Sequence, residues 1–219
     1  MRSAPTLATL TLTLCTLLPA RSAPQTAGAA PPTPVSVTVP QGDGAPVITD
    51  GIFSPGEWDD ALRIAVATDV ALHLKEHRGV VYVGVRGTGG IGPSELSLAT
   101  PSGSIQKLHV SYSLYEVAVP ATGPEPRPRI GFTSDWYANE LRRDDDVLAR
   151  LKEEGKPPFA ADYPHDGLEF AIRRSKLPGS VWRLRLWVTG LVAGKPGALA
   201  FPPAAAERST EGWLELRLR

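Results

Sequence analysis

Two residue types are almost missing from these 219 residues: there is one cysteine, Cys15, and one methionine, Met1. Both fall in the N-terminal stretch that reads as a signal peptide, so the chain after cleavage is expected to contain neither. That excludes disulfides, cysteine-ligated metals and a thiol nucleophile in the mature chain. A charge excess is missing as well, with 23 basic residues against 23 acidic ones. No basic surplus is left to neutralise a phosphate backbone, and a general nucleic-acid binder is excluded on that ground. Long apolar runs are scarce too. The run from Leu7 to Leu18 is shorter and richer in threonine than the roughly 20 apolar residues of a membrane-spanning helix, so no stable membrane span is expected.

Arg2, the apolar run and the small residues Pro19-Ala20-Arg21-Ser22-Ala23 together have the layout of a secretory signal peptide over residues 1–23. The expected location is therefore secreted or periplasmic. Lipoprotein processing at Cys15 is the rival reading, although Leu14 stands where a lipobox takes a small residue. Residues 24–45, rich in Pro, Ala, Gly and Thr, read as a linker. Within them Val35-Ser36-Val37-Thr38-Val39 alternates like a first strand. Residues 46–219 are long enough for one domain with a full core.

What the chain has in quantity is Gly (21) and Pro (22). Together they make up nearly a fifth of it, the punctuation of short strands joined by many turns. Val70, Leu72 and Leu74, then Val81, Val83 and Val85, alternate around Glu76-His77-Arg78-Gly79 and predict a hairpin. Further strands are expected over Leu96–Ala99, over a long Ile105–Val119, around Leu168–Ile172 and Trp182–Val188, and at Trp213–Leu218. One helix is expected at about 136–154, capped by Ser134 or Asp135 and stopped by Gly155 and Pro157. The fold class is all-β, an antiparallel β-sandwich with one peripheral helix.

Three motifs lose their chemical meaning in this context. Gly87-Thr88-Gly89-Gly90-Ile91-Gly92 fits GxGxxG, but Pro93 and an alternating pattern follow it where a phosphate site needs a helix. His73-Leu74-Lys75-Glu76-His77 fits HxxEH, yet in a strand the two histidines stand about 13 Å apart, too far for one zinc. Asp144-Asp145-Asp146 is contiguous, unlike the alternating ligands of a calcium loop. No catalytic residue and no metal ligand is assigned.

The aromatics are more informative, because flat rings stack on the C–H faces of sugars. Trp58, Trp182 and Trp213 read as core. Alternation places Trp187 with Arg183 and Arg185 on the polar face of its strand, away from Leu184, Leu186 and Val188. These three are the first candidate ligand-binding residues. Trp136 and Tyr137, at the start of the expected helix, are the second candidate pair.

Three stretches carry a family resemblance. Ile48-Thr49-Asp50-Gly51 with Glu57-Trp58 and Ala61, then Val81-Tyr82-Val83-Gly84-Val85-Arg86, then Asp166-Gly167-Leu168-Glu169-Phe170-Ala171-Ile172 with Ser175 and Leu177, resemble family 9 carbohydrate-binding-module-like domains. The similarity spans residues 47–219. It implies a β-sandwich related to the DOMON-type folds of secreted bacterial proteins. In sugar-binding members tryptophan rings hold the ligand, but none of those binding residues maps onto this chain. Structural calcium, which some members carry, is not locatable here. Haem, held by Met and His in DOMON relatives, is not expected in a mature chain without methionine. The expectation is an exported, non-catalytic binding protein whose partner is a glycan or a cell-envelope component. The alternatives are an envelope structural or protein-interaction domain with no small ligand, and a glycan-acting hydrolase accessory. Oligomeric state is not legible.

Overall fold

Alternating apolar residues on short strands can bury one face only by stacking sheet on sheet, and the chain does so. The computed structural model describes residues 35–88, 92–101, 103–111, 113–120, 122–130, 134–139, 153, 155, 167–190 and 197–219. The strands are β1 (Ser36–Thr38), β2 (Leu62–Ala67), β3 (Val70–His77), β4 (Val80–Arg86), β5 (Ser94–Ala99), β6 (Ile105–Val110) and β7 (Leu114–Val119). They continue with β8 (Arg129–Ile130), β9 (Trp136–Ala138), β10 (Gly167–Arg173), β11 (Val181–Thr189), β12 (Ala198–Phe201) and β13 (Leu214–Arg217). The larger sheet runs β1-β13-β11-β5-β6-β7-β8, with β12 also paired to β11, and the smaller runs β2-β3-β4-β10-β9. All described pairings between strands are antiparallel except β1 with β13.

The core lies between the sheets. Leu96, Leu98, Leu108, Leu184, Leu186 and Leu216 face Leu72, Leu74, Val83, Val85, Phe170 and Ile172, all fully buried. The β-sandwich is as expected. Three boundaries differ.

The chain enters the sandwich before residue 46. β1 pairs with β13, Val39 is fully buried, and the main chain of Glu76 bonds to this segment twice, accepting from Gly42 N and donating to Pro40 O. Residues 36–45 therefore belong to the domain, and the alternation of Val35 to Val39 was the true signal. Residues 1–34, which hold the expected signal peptide, lie outside the described residues.

The long strand Ile105–Val119 is instead a hairpin, β6 and β7. It turns where Ser111 N and Ser111 Oγ both donate to Ser113 O. Two short serines bonding locally outcompete the ladder there.

The expected helix does not begin at Trp136. Trp136–Ala138 is a strand at the edge of the smaller sheet, paired with Phe170–Ile172, because Trp136 and Ala138 alternate into the core while Tyr137 faces out. Most of the remaining span, including Asp144-Asp145-Asp146, lies outside the described residues.

Candidate functional site

The resembling motifs meet in one buried network on the outer face of the smaller sheet. Glu169, at the centre of β10, has no exposed surface. Its Oε2 accepts from Asp50 N (3.2 Å) and Gly51 N (2.9 Å), and its Oε1 accepts from Trp58 Nε1 (2.9 Å). Gly84, in register with Glu169, leaves the space in which the Trp58 ring lies; a Cβ there would stand 2.7 Å from Trp58 Cζ2. Phe53 stacks on Trp58 at 5.2 Å, and His73 meets the Trp58 ring edge-on at 5.8 Å. Burial pushes the Glu169 carboxyl up to about 7, against the bonds from Trp58 and Gly51. Burial, with Arg63 and Arg86 nearby, pushes His73 down to about 4. Every motif residue here is engaged internally. This network holds the segment before β2 on the sheet and leaves little for a ligand.

The outer face of the larger sheet is different. Register places Trp187 opposite Glu95, Glu95 opposite His109, and His109 opposite Tyr115. One row of side chains thus crosses β11, β5, β6 and β7. At about 4.8 Å per strand it extends about 14 Å. Trp187 is half-buried, and its other neighbour is the small Ala200 of β12. At the far end the His109 and Tyr115 rings stack at 4.1 Å and 15°. Glu95 lies between, with Oε1 3.6 Å from His109 Nδ1 and Oε2 3.7 Å from Lys107 Nζ. Lys107 is held by Glu125 at 2.8 Å.

The charges set the protonation of this row. The His109 contact, then Lys107 and Arg185, hold the Glu95 carboxyl below its ordinary value despite its burial. Lys107 is pushed up, because Glu125 and Glu95 outweigh the effect of burial. Burial, reinforced by Glu95, pushes the Tyr115 phenol up. Near neutral pH the row therefore presents a carboxylate, with the Lys107 ammonium beside it, between an indole at one end and stacked rings carrying a protonated phenol at the other. Flat faces and hydrogen-bonding groups in one line are the chemistry that recognises a polyhydroxylated ring.

Of the expected ligand-binding residues, Trp187 takes its place in this row, but its two arginines do another job. Arg185 is 6% exposed; its Nε donates to Ala205 O at 3.3 Å and its Nη2 reaches Glu207 at 3.0 Å. Arg183 Nη1 donates to Thr210 Oγ1 at 2.6 Å. The two guanidiniums pin residues 202–213 across the sheet, and Trp213 of that segment is buried on Ala99, Ile105, Val117 and Val119. They support a wall beside the row, and Arg183 Nε is buried there with no acceptor among the described residues. Trp136, expected as an open ring, is 4% exposed and belongs to the core. Tyr137 is half-buried on the opposite face, so the two do not form a pair of rings on one surface.

Sequence reading missed Glu95, Lys107, His109 and Tyr115. Glu95 could have been found, since it alternates with Leu96 on a strand next to β11. Tyr115 could not, because the Ser111–Ser113 turn resets the alternation.

Among the described residues no three His, Asp or Glu gather as metal ligands. An oxygen-lined cation position does exist beside β3, and Lys75 Nζ fills it. His73 and His77 lie on a strand, with His77 Nδ1 bonded to Gly42 O. Among the described residues no helix is long and apolar enough to cross a membrane.

No protein-family profile matches the chain, and no curated protein matches it in sequence. Among solved structures it is similar to a family 9 carbohydrate-binding module from Caldicellulosiruptor kristjanssonii in complex with cellotriose. The identity is 15%, the match covers 84% of this chain and 93% of that one, and the TM-score is 0.46.

Proposed function

We propose that this chain is an exported, non-catalytic carbohydrate-binding protein that takes a glycan along Trp187, Glu95, His109 and Tyr115. The observation that carries the reading is the row itself: ring faces at both ends of about 14 Å of sheet, with a carboxylate and an ammonium between them. A sugar ring stacks its C–H face on Trp187, and its hydroxyls exchange hydrogen bonds with Glu95 and Lys107. A second ring reaches the His109–Tyr115 stack. The wall built by Arg183, Arg185 and residues 202–213 borders one side and gives the row a direction.

Binding of this kind is dominated by hydrogen bonds and stacking on preformed groups, so its heat is favourable and its entropy unfavourable. The test is affinity electrophoresis of the purified protein in gels containing soluble glucans, xylans, mannans or pectins. Retardation by at least one polysaccharide, lost in Trp187→Ala while the fold is intact, supports the reading. No retardation by any of them, or equal retardation of the variant, defeats it. If a defined envelope protein instead co-purifies through Trp187, the ring is an interface anchor.

A further inference from the structure

Beside the Glu169 network, the outer face of the smaller sheet gathers positive charge around a small floor. Register sets Arg63 of β2 opposite His73 of β3, and Arg86 of β4 opposite Ala71, two residues earlier on β3. Residues two apart on a strand share a face, so arginines from both flanking strands and one imidazole surround a methyl group. A cavity of about 260 Å³ opens there, bordered also by Asp69 and Thr88. Drug-sized ligands occupy roughly 300–1,000 Å³, so this cavity suits one small group rather than a length of sugar chain.

The charges that act on the imidazole have one sign. Burial, then Arg63 and Arg86, push His73 down to about 4, so the ring is neutral near pH 7 and stands in a positive field. Arg63 is exposed and makes no hydrogen bond or ion pair among the described residues. Arg86 is engaged, with its guanidinium 5.5 Å from the centre of the Phe53 ring; that contact fixes its place without cancelling its charge. Asp69, on the turn between β2 and β3, is exposed, and no ion pair joins it to Arg63 among the described residues. On the border two guanidiniums thus stand against one carboxylate. His73 Nδ1 is buried with no partner among the described residues. A stranded lone pair there is cheaper than a stranded N–H, so the proton sits on Nε2 and the ring offers the cavity a donor. Donors that arrive from three strands surround a tetrahedral group better than a flat carboxylate, which takes both of its bonds from one fork.

We propose that this cavity is an anion site, which takes one tetrahedral oxyanion, a sulfate or phosphate group, between Arg63 and Arg86 with His73 Nε2–H and the Thr88 hydroxyl as further donors. It lies on the other sheet from the Trp187 row and does not depend on the carbohydrate reading. The group arrives as a free ion or as an ester whose remainder stays in solvent.

The test is an NMR titration of the purified protein at pH 7 that reads the His73 ring and the amides of Ala71, His73 and Thr88. The probes are sodium sulfate, sodium phosphate, glucose 6-sulfate, glucose 6-phosphate and sodium acetate, each against sodium chloride at equal ionic strength. Sulfate or phosphate, free or as the ester, should give saturable shifts at these signals, and acetate and chloride should give none. Arg63→Gln, at an exposed position on the edge strand β2, should weaken that binding at least tenfold. Ala71→Glu, which sets a carboxylate between the guanidiniums and keeps both, should abolish it. The bound anion offsets the positive field, so it should also raise the His73 pKa from about 4; a tenfold preference for the protonated ring moves it up by about one. An ester at least tenfold tighter than its free ion names an ester as the ligand, and equal affinity names the free ion; both uphold the site. Equal shifts with chloride, saturation by acetate alone, no saturable shift with any probe, or unchanged binding in Arg63→Gln overturns it and leaves the Trp187 row untouched.

Discussion

Lys75 is the sharpest place to test how this sandwich is held together. Its ammonium sits beside β3 with no exposed surface. Nζ donates to Ala45 O at 2.8 Å, to Glu57 O at 2.5 Å and to Asp60 Oδ1 at 2.8 Å. Three donors meet three acceptors, so the charge is fully satisfied. Asp60 also accepts from Gly44 N, and Lys75 and Gly44 hold its carboxyl below its ordinary value although burial alone would raise it. Lys75→Met keeps most of the length and strands two carbonyls and a carboxylate. Breaking a buried pair from one side costs about 3–5 kcal/mol. The Asp60 side chain remains 21% exposed, and water reaching it moves the expectation to the lower end, about 3 kcal/mol. For a chain of this length that is a fall in Tm of roughly 6–12 °C. Urea denaturation should show a lower midpoint at unchanged m. Adding Asp60→Asn should return part of the loss, because the uncompensated charge is then gone. The pH dependence has a defined sign. Asp60 is depressed in the folded state, so its contribution is present above about pH 4 and is lost as pH falls through the folded value; Lys75→Met should lack that acid slope. A single variant within about 1 kcal/mol of wild type, or a double variant no better than the single, refutes the reasoning.

Three further outcomes follow from the same structure. Glu169 is raised to about 7 from an unfolded value near 4.5, so its contribution is full below about pH 4.5 and is lost as pH rises through 7. Relative to wild type, Glu169→Gln should gain about 3 kcal/mol between pH 5 and pH 8 in urea denaturation, and a flat difference defeats the assignment. Gly84→Ala should lose about 1–3 kcal/mol, because the new methyl would stand 2.7 Å from Trp58 Cζ2 and 2.9 Å from Phe53 Cζ; a neutral result in thermal unfolding shows that these rings are free to shift. Arg185→Ala frees Ala205 O and Glu207, so amide exchange over residues 202–213 should rise at least tenfold, and unchanged protection means Trp213 alone holds that segment.

The sandwich was readable because one simple signal, period-two alternation, repeats on nearly every strand. Leu184, Leu186 and Val188 against Arg183, Arg185 and Trp187 assigned the two faces of β11 correctly. Alternation, however, names a face without saying what else crosses it. It could not show that residues 202–213 fold back over the larger sheet and occupy Arg183 and Arg185, because that contact joins segments about 20 residues apart through loop conformation. The Trp136 error had a different origin. Ser134 or Asp135 ahead of a charged, leucine-spaced stretch is a fair capping signal, but three residues of edge strand precede it, and pairing with Phe170–Ile172 outweighs local preference there. Glu95, His109 and Tyr115 come together only through register, which a sequence read strand by strand does not contain.

This separation explains why the most recognisable residues say least about the ligand. Asp50, Gly51, Trp58, Gly84 and Glu169 are held in place by one another: a carboxylate buried without solvent needs its two main-chain N–H donors and its indole, and the indole needs a strand glycine to lie on. Such a set tolerates little change and so leaves a readable trace. The Trp187 row is bound by no comparable constraint. Exchanging Glu95 or Tyr115 alters the outer face of the larger sheet and leaves the Glu169 network untouched, so the same sandwich can carry many ligand rows. Substitutions should therefore divide cleanly. Trp187→Ala and Glu95→Gln should abolish or weaken glycan retardation with unfolding midpoints nearly unchanged, whereas Gly84→Ala should lower the midpoint and leave retardation at 25 °C intact in the folded fraction. A Trp187 variant as unstable as the Gly84 variant would place that ring in the support of the sheet and take the row out of the binding argument.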